Sequence, residues 1–178
     1  MPKKSLPLSK VYRLIEPGPV VLLTTASAGG TNVMTMSWHS MLEFEPPLIG
    51  CVVSDRNQPH SMLQGSRECV LNIPTDDLLK QVVGCGNSSG ATTDKFARYK
   101  LTCVPGELVA APLIDECFAN LECRVVDTDM VRKYCFFVLE VVKAWIDPAI
   151  KTPRTLHHRG YGSFLVATET IRVRSQMW

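Results

Sequence analysis

Apolar residues in this chain fall into short runs that are interrupted by turn-forming residues. Runs of about four to eight apolar and β-branched residues bounded by Gly or Pro are typical of β-strands. The pattern predicts strands at 19–26, 32–39, 48–54, 69–73, 118–126, 133–146 and 169–174. The first run ends at a Gly29–Gly30 turn signal, so the second is expected to be its hairpin partner.

The predicted strand at 118–126 alternates between apolar and polar residues. One face carries Cys117, Ala119, Leu121, Cys123 and Val125, and the other carries Asn120, Glu122 and Arg124. Such alternation predicts an antiparallel strand with one face in solvent. Segment 133–146 is apolar on both faces and is therefore expected to be a central strand.

Helices are predicted only at 61–68, 76–83 and 94–99. Asp76 and Asp77 favour the start of the second helix through capping and the helix dipole. The strand-rich order shows no β/α alternation, which argues against a doubly wound sheet. We expect one mainly β domain over residues 1–178, with a few short helices. Its antiparallel strands are expected to form a closed or nearly closed barrel, because closure removes exposed edges.

Composition narrows the possible partners and the cellular compartment. Apolar residues make up 46% of the 178 residues, and the net charge of +2 is too small for a nucleic-acid surface. No segment has the roughly 20 apolar residues of a membrane span, and no signal peptide is evident, so a cytoplasmic location is predicted. The seven cysteines include no CxxC and no zinc-ligand spacing. Most lie in apolar runs and are predicted to be small buried hydrophobes rather than redox groups, and no metal site is expected.

The strand at 32–38 carries polar residues among large apolar ones. Asn32, Thr35 and Ser37 lie among Val33, Met34, Met36 and Trp38. This is either an ordinary strand with hydroxyls on its outer face or a strand edge that hydrogen-bonds a planar heterocycle. A flavin ring needs such polar partners on its pyrimidine side and apolar cover on its dimethylbenzene side.

Two polar loops could bind a phosphate. Ser54, Arg56 and Ser61 lie between a predicted strand and a predicted helix, where a guanidinium and free N–H groups favour an anion. The small-residue loop at 84–90 would let a backbone approach a ligand closely, and Lys95 beyond it is the candidate second cation. The alternative for the first loop is a polar loop with a helix cap at Ser61, and the alternative for the second is a merely flexible loop.

Adjacent histidines precede a late Gly-Tyr-Gly loop. His157 and His158 would point in opposite directions on an extended chain, and no third metal ligand is identifiable by spacing. A loop that brings Tyr161 or a histidine to the edge of a ligand is favoured over a metal site. No GxSxG, HExxH, P-loop or GxGxxG motif is present, so no catalytic side chain is assigned and a Rossmann-type nicotinamide enzyme is disfavoured.

Several segments taken in order resemble one known family. They are the residues at 14–25, Asn32-x-x-Thr35-x-Ser37-Trp38, and the residues at 46–50, 70–74, 89–96, 111–114, 120–123 and 160–162. This ordered set resembles the flavin reductase-like family of FMN-binding split-barrel proteins, in its flavoredoxin and ferric-reductase branch. The resemblance implies a split β-barrel with Greek-key topology, built as a homodimer with FMN near the subunit interface.

The resemblance also implies roles for individual residues. Thr35, Met36, Ser37 and Trp38 match the strand that lines the isoalloxazine ring. Ser54, Arg56 and Ser61 match the segment that holds ribityl or phosphate groups. Gln58-Pro59-His60 differs from the usual sequence of that loop in the family. Ser88, Ser89 and Lys95 match the loop that completes the site. Asn32, Met34, Cys85 and Tyr161 are the remaining candidates for contact with the cofactor.

The implied function is that of an NAD(P)H-dependent flavin or ferric reductase with bound FMN, FAD being the possible substitute. NAD(P)H would be the transient reductant, and free flavin, a ferric complex or a redox protein would accept the electrons. Two alternatives stay open. One is a flavoredoxin-like electron carrier that is reduced by a protein partner, and the other is a flavin-binding protein without turnover.

Overall fold

A computed structural model describes residues 2–174 and contains twelve strands and five α-helices over that range. The strands are β1 (Lys4–Ser5), β2 (Val21–Ser27), β3 (Gly30–Met36), β4 (His39–Phe44), β5 (Pro47–Val52), β6 (Glu68–Ile73), β7 (Cys103–Val104), β8 (Leu113–Ile114), β9 (Ala119–Asp127), β10 (Phe136–Ile146), β11 (Leu156–Gly160) and β12 (Ser163–Val166). The helices are α1 (Tyr12–Ile15), α2 (Gln58–Ser66), α3 (Leu79–Gly86), α4 (Lys95–Tyr99) and α5 (Val131–Tyr134), with 3₁₀ turns at Leu8–Lys10 and Asp76–Leu78.

Most strands belong to one antiparallel sheet, which confirms the mainly β prediction. Its order is β3-β2-β6-β9-β10-β5-β4, and β1 pairs with one end of β10. Several neighbours are far apart in sequence, so the sheet is not a simple meander. β3 and β4 are the two ends of this order and do not pair with each other, so hydrogen bonds do not close the barrel. The interior is packed with buried aliphatic side chains from both ends of the order, such as Leu23, Ile49, Leu71, Leu121 and Leu139.

The long apolar segment is central, as predicted, because β10 lies between β9 and β5. The prediction that β9 has one face in solvent holds, among the polar residues of that face, only at Arg124, which is exposed. Cys123 and its apolar neighbours face the core, but Asn120 and Glu122 on the opposite face are also fully buried. The segment that leads into β8 covers this second face, since Leu108 and Val109 donate their backbone N–H groups to the Glu122 carboxylate.

The three predicted helices form with small shifts of their bounds, and α4 is capped by Asp94, which accepts a bond from the N–H of Ala97 at 3.0 Å. Asp76 and Asp77 lie in the first turn of their helical segment but do not cap it, and Asp76 instead pairs with Arg154 at 2.8 Å. Within residues 2–174, no helix is long and apolar enough to cross a bilayer.

The predicted strand at 169–174 does not form, and residues 167–174 are neither helix nor strand. Strand sequence alone is not sufficient, because a strand also needs an edge with which to pair. The sequence pattern missed the β11–β12 hairpin, whose strands pair only with each other. The predicted second strand is also split, since β3 ends at Met36 and β4 begins at His39.

Five of the seven cysteines are buried, as predicted for most of them, whereas Cys103 is exposed and Cys135 is half-buried. Cys117 and Cys123 are the nearest cysteines in the strand sequence, whereas Cys69 and Cys123 lie directly opposite each other on β6 and β9. A hydrogen bond with the Cys123 thiol, and then burial, raise the pKa of Cys69. Cys135 is not in a strand interior, because it ends α5 in a left-handed conformation.

His39 should make stability depend on pH. Its Nε2 lies 2.6 Å from the carbonyl oxygen of Pro19, which can only accept, and its buried Nδ1 has no partner among the described residues. Burial lowers the pKa of His39 from the usual 6.5. The unfolded chain therefore binds more protons as the pH falls. We expect full stability above about pH 6.5 and a loss below it, with a slope of at most about 1.4 kcal/mol per pH unit.

Urea unfolding between pH 8 and pH 5 measures this slope. His39→Leu should flatten the curve, whereas the exposed His158→Gln should leave the slope as in the parent protein. An unchanged slope in His39→Leu would show that other groups cause the pH dependence.

Candidate functional site

A groove runs along β3 between the N-terminus of α2, the loop after α3 and the β11–β12 hairpin. Its polar part is a cavity of about 340 Å³, and its apolar part is a cavity of about 540 Å³. Thr35, Gly86 and Asn87 line both cavities, so the two are parts of one groove. The predicted candidates at the polar part are Asn32, Met34, Thr35, Arg56, Cys85, Ser88, Ser89 and Lys95. The predicted candidates at the apolar part are Thr35, Ser37 and Tyr161.

β3 forms the floor of the groove, and its polar side chains are fixed by hydrogen bonds. The buried Asn32 accepts the N–H of Val33 at 2.8 Å and donates its amide to Gln58 at 3.2 Å. Thr35 donates its hydroxyl to the carbonyl of Val82 at 2.6 Å, which ties the strand to α3. These hydrogen bonds hold the side chains of Asn32 and Thr35 in place along the floor.

The loop after α3 closely approaches β3. Ser88 donates to the carbonyl of Gly84 at 2.8 Å and accepts a bond from the Tyr99 hydroxyl at 3.1 Å. A Cβ at Gly90 would overlap the Asn32 side-chain amide, so only glycine fits there without a shift. The loop thus places several backbone groups and hydroxyls at one end of the groove.

Lys95 lines the polar cavity but is not a free cation. Its ammonium donates to the carbonyl of Val33 at 2.8 Å and to that of Cys85 at 2.9 Å. Burial lowers its pKa, although the neighbouring Cys85 opposes this shift. Lys95 therefore joins β3 to the end of α3, which sequence reasoning did not foresee when it assigned this residue to the phosphate.

Arg56 is the exposed cation of the polar cavity, and no salt bridge engages it within the part of the chain that the structure describes. Its backbone N–H donates to the Ser54 hydroxyl at 3.3 Å, which shapes the turn before α2. Arg56 lines this cavity together with Ser88 and Ser89. This arrangement can bind an anion with a charged fork and several neutral donors.

The other part of the groove is apolar. Val20, Val82, Val83 and Phe164 line it together with the tip of the β11–β12 hairpin. His158 and the fully exposed Tyr161 face this cavity, whereas His157 lies 3.2 Å from the carbonyl oxygen of Gly18. The two histidines point to different neighbours. Residues 2–174 bring no three His, Cys, Asp or Glu side chains together as a metal site.

The structure does not bring four of the predicted residues to either cavity. Met36 is buried in the core, and Trp38 is 72% exposed beyond the end of β3. Ser54 shapes its own turn, and Ser61 donates to the carbonyl of Gln58 and lines a different surface hollow. The alternation of apolar and polar residues predicts on which face of a strand a side chain lies. It does not predict which other element packs against that face.

Some lining residues were missed by the sequence reasoning. They are Asn57, Gln58, Pro59, Gly86, Asn87, Gly90, Val20, Val82, Val83, Gly162 and Phe164. The polar ones lie inside the two loops that were singled out, so proximity to Arg56 and Ser88 could have indicated them. The apolar ones carry no chemical signal, because their role depends on the packing of α3 and the hairpin.

A family model, a relative and two solved structures all relate this chain to flavin reductase-like proteins or to proteins of similar sequence. The flavin reductase like domain family matches residues 12–164. An uncharacterized protein of Archaeoglobus fulgidus is 38% identical over 120 residues, which cover 67% of this chain and 68% of that protein. An FMN-binding domain of a flavin reductases-like enzyme from Shewanella baltica is 26% identical, with a TM-score of 0.90 and coverage of 97% and 98%. A flavoredoxin from Methanosarcina acetivorans is 27% identical, with a TM-score of 0.78 and 89% of both chains covered. The chain therefore belongs to the flavin reductase like domain family.

Proposed function

We propose that the groove binds FMN, with the phosphate near Arg56 and the ring system in the apolar part. The observation that carries this proposal is the continuity of a polar cavity and an apolar cavity along β3. FMN likewise has a polar end, its ribityl phosphate, joined to a flat and largely apolar ring system. The similar Shewanella baltica structure is of an FMN-binding domain, which supports the choice of flavin.

The described residues fit such a molecule. Arg56 and the Ser89 hydroxyl would donate to the phosphate, and the backbone of Gly86 would lie beside the ribityl chain. Ser88 already donates its hydroxyl to the carbonyl of Gly84 and would shape the loop. Thr35 lies where the two cavities meet and Ser37 lines the apolar cavity, and both would orient the polar edge of the ring. Val82 and Phe164 would exclude water from its apolar edge.

We further propose that the protein is an NAD(P)H-dependent flavin or ferric reductase. FMN supplies the capacity to accept a hydride and to release electrons in steps. The protein would need only to position the reactants and to present donors where charge develops, since none of the lining residues forms an acid–base pair. The family membership and the wide apolar cavity beside the hairpin support a second planar reactant at that end.

Absorption spectra and titration test the first part of the proposal. Protein reconstituted with FMN should show flavin absorption bands, quench flavin fluorescence and saturate at about one FMN per chain. NADH and NADPH oxidation by this holoprotein, with free flavin or a ferric complex as acceptor, tests the second part. Absence of saturable binding at micromolar FMN would contradict the whole proposal.

A flavoredoxin-like carrier is the second candidate, because the Methanosarcina acetivorans flavoredoxin is among the similar structures. Such a carrier would be reduced by a protein and not by a nicotinamide. Stopped-flow mixing of holoprotein with NADH or NADPH distinguishes the two. Slow reduction by both nucleotides, together with fast transfer from the photoreduced protein to a redox protein, would favour the carrier.

A homodimer is part of the proposal. Trp38, Leu42 and Phe44 are apolar and are 72%, 49% and 57% exposed near the end of β3 and along β4. Exposed aromatic side chains that lie near a binding site are typical of an interface. Sedimentation at micromolar concentration should give about twice the 19.8 kDa chain mass. A strictly monomeric holoprotein would refute this part.

Cys85 is expected to contact the site without redox chemistry. The thiol is buried in the wall of the polar cavity, and burial raises its pKa to about 11. A protonated thiol is a poor nucleophile at neutral pH. Cys85→Ser should change FMN affinity by less than about 10-fold and leave the rate of flavin reduction within about 3-fold, which amounts to a small perturbation of packing.

Single-turnover reduction of the reconstituted Cys85→Ser variant measures this, with the exposed Cys103→Ser as the control. A variant that retains its flavin but is reduced at least a hundred times more slowly would show that the thiol takes part in electron transfer.

A further inference from the structure

The C-terminal segment 167–174, which we call the arm, has the sequence of a strand but no partner. Its first residue, Ala167, donates its N–H to the carbonyl of Thr155 at 2.9 Å, and beyond it no strand pairing is present up to residue 174. Ile171 and Val173 are 77% and 81% exposed. They alternate with Arg172 and Arg174, which is the period of a strand with one apolar face.

β4 is an edge strand with complementary properties. It pairs with β5 on one side and is an end of the sheet over the described residues. Leu42 and Phe44 are half exposed on it, and together with Glu16 and Glu43 they line a surface hollow of about 510 Å³. The exposed Glu45 follows directly, so apolar and acidic groups alternate along this edge.

The opposite edge of the sheet is less suitable. β3 is crossed by α3, to which Thr35 is hydrogen-bonded, and its groove is the proposed flavin site. Arg13 is the basic residue beside β4, where it stacks over Tyr12, and Tyr12 in turn contacts Phe44 with ring centroids 5.1 Å apart. Glu16, Glu43 and Glu45 outnumber it and leave this edge acidic.

We propose that the arm of one copy of this chain adds as an extra strand to β4 of a second copy. Main-chain hydrogen bonds would satisfy both unpaired edges, as in other cases of strand addition. Ile171 and Val173 would cover Leu42 and Phe44, and the arm's arginines would face the glutamates of β4. The exchange is reciprocal and gives a closed twofold dimer. This inference rests on the homodimer in the proposed function, and it names which surfaces form it.

Sedimentation of arm variants tests the contribution of the arm to the dimer. Ile171→Asp combined with Val173→Asp should weaken dimerisation on the order of 100-fold, because two buried aliphatic side chains are lost. Met130→Asp, a change at a 48% exposed apolar residue before α5, is the matched control and should have no effect. Arg172→Glu with Arg174→Glu should also weaken the dimer, as should Glu43→Arg with Glu45→Arg. Combining the two charge reversals should restore it.

Cross-linking identifies the occupant of β4. Copies carrying Val173→Cys are mixed with differently tagged copies carrying Leu42→Cys, both with Cys103→Ser, and treated with a short bismaleimide. A cross-linked pair of the two tagged copies is expected. A dimer that forms without this cross-link and is insensitive to the arm variants would overturn the arm proposal and leave the homodimer intact. A third variant carries Val173→Cys and Leu42→Cys on the same chain. A cross-link that forms only within this chain, and not between the two tagged copies, would show that the arm binds its own β4 and would overturn the arm proposal. A monomer at all concentrations would overturn both proposals.

Discussion

Arg56→Ala is expected to weaken FMN binding by roughly 10- to 150-fold and to leave riboflavin binding nearly unchanged. A charged hydrogen bond contributes about 1.5–3 kcal/mol, which is the free energy that corresponds to this range. Arg56 is the exposed cation at the polar cavity, and riboflavin lacks the phosphate that the guanidinium would bind. Fluorescence quenching titrations with the two flavins measure the difference directly.

Lys95→Met is the informative comparison. The Lys95 ammonium holds the carbonyls of Val33 and Cys85 together, so its loss should displace both walls of the cavity. We therefore expect FMN and riboflavin to weaken by similar factors in this variant. Equal weakening of the two flavins in Arg56→Ala as well would show that Arg56 does not contact the phosphate. Arg67→Ala, at an exposed arginine beyond the end of α2, is the control and should change neither affinity.

Glu122→Leu is expected to lower the free energy of unfolding by about 3–5 kcal/mol. The fully buried carboxylate accepts the N–H of Leu108 at 2.6 Å, the N–H of Val109 at 3.1 Å and the indole N–H of Trp145 at 2.8 Å. Leucine has a similar size but leaves three buried donors without an acceptor. Each unsatisfied donor costs about 1–3 kcal/mol, and partial relaxation reduces the sum.

Chemical denaturation measures this loss, and two variants serve as controls. Glu122→Gln retains one acceptor oxygen and should be less destabilising than Glu122→Leu. Glu107→Gln removes only a solvent-exposed partner of Lys143, so its effect should stay below about 1 kcal/mol. A Glu122→Leu protein as stable as the parent would show that the 105–114 segment is not anchored by this carboxylate.

The periodicity of the chain was sufficient to predict the fold class and most of the sheet. Apolar runs and turn residues are local properties, so β2, β5, β6 and the central β10 could be recognised without knowing their neighbours. Glu122 shows where such reasoning ends. Its alternation with apolar residues correctly assigns it to the opposite face of β9, but solvent exposure of that face depends on a loop that arrives from elsewhere in the chain.

The candidate site divides in the same way. The sequence determined which segments carry amides, hydroxyls and cations, and Asn32, Arg56 and Ser88 do meet at one cavity. Only the tertiary structure decided that Lys95 is bound to two carbonyls and that Trp38 lines neither cavity of the groove. Such details depend on the distances between β3, α3 and α2, which are set by packing across the core. No pattern within a single segment contains those distances, because residues that touch at the site, such as Lys95 and Val33, are 62 positions apart along the chain.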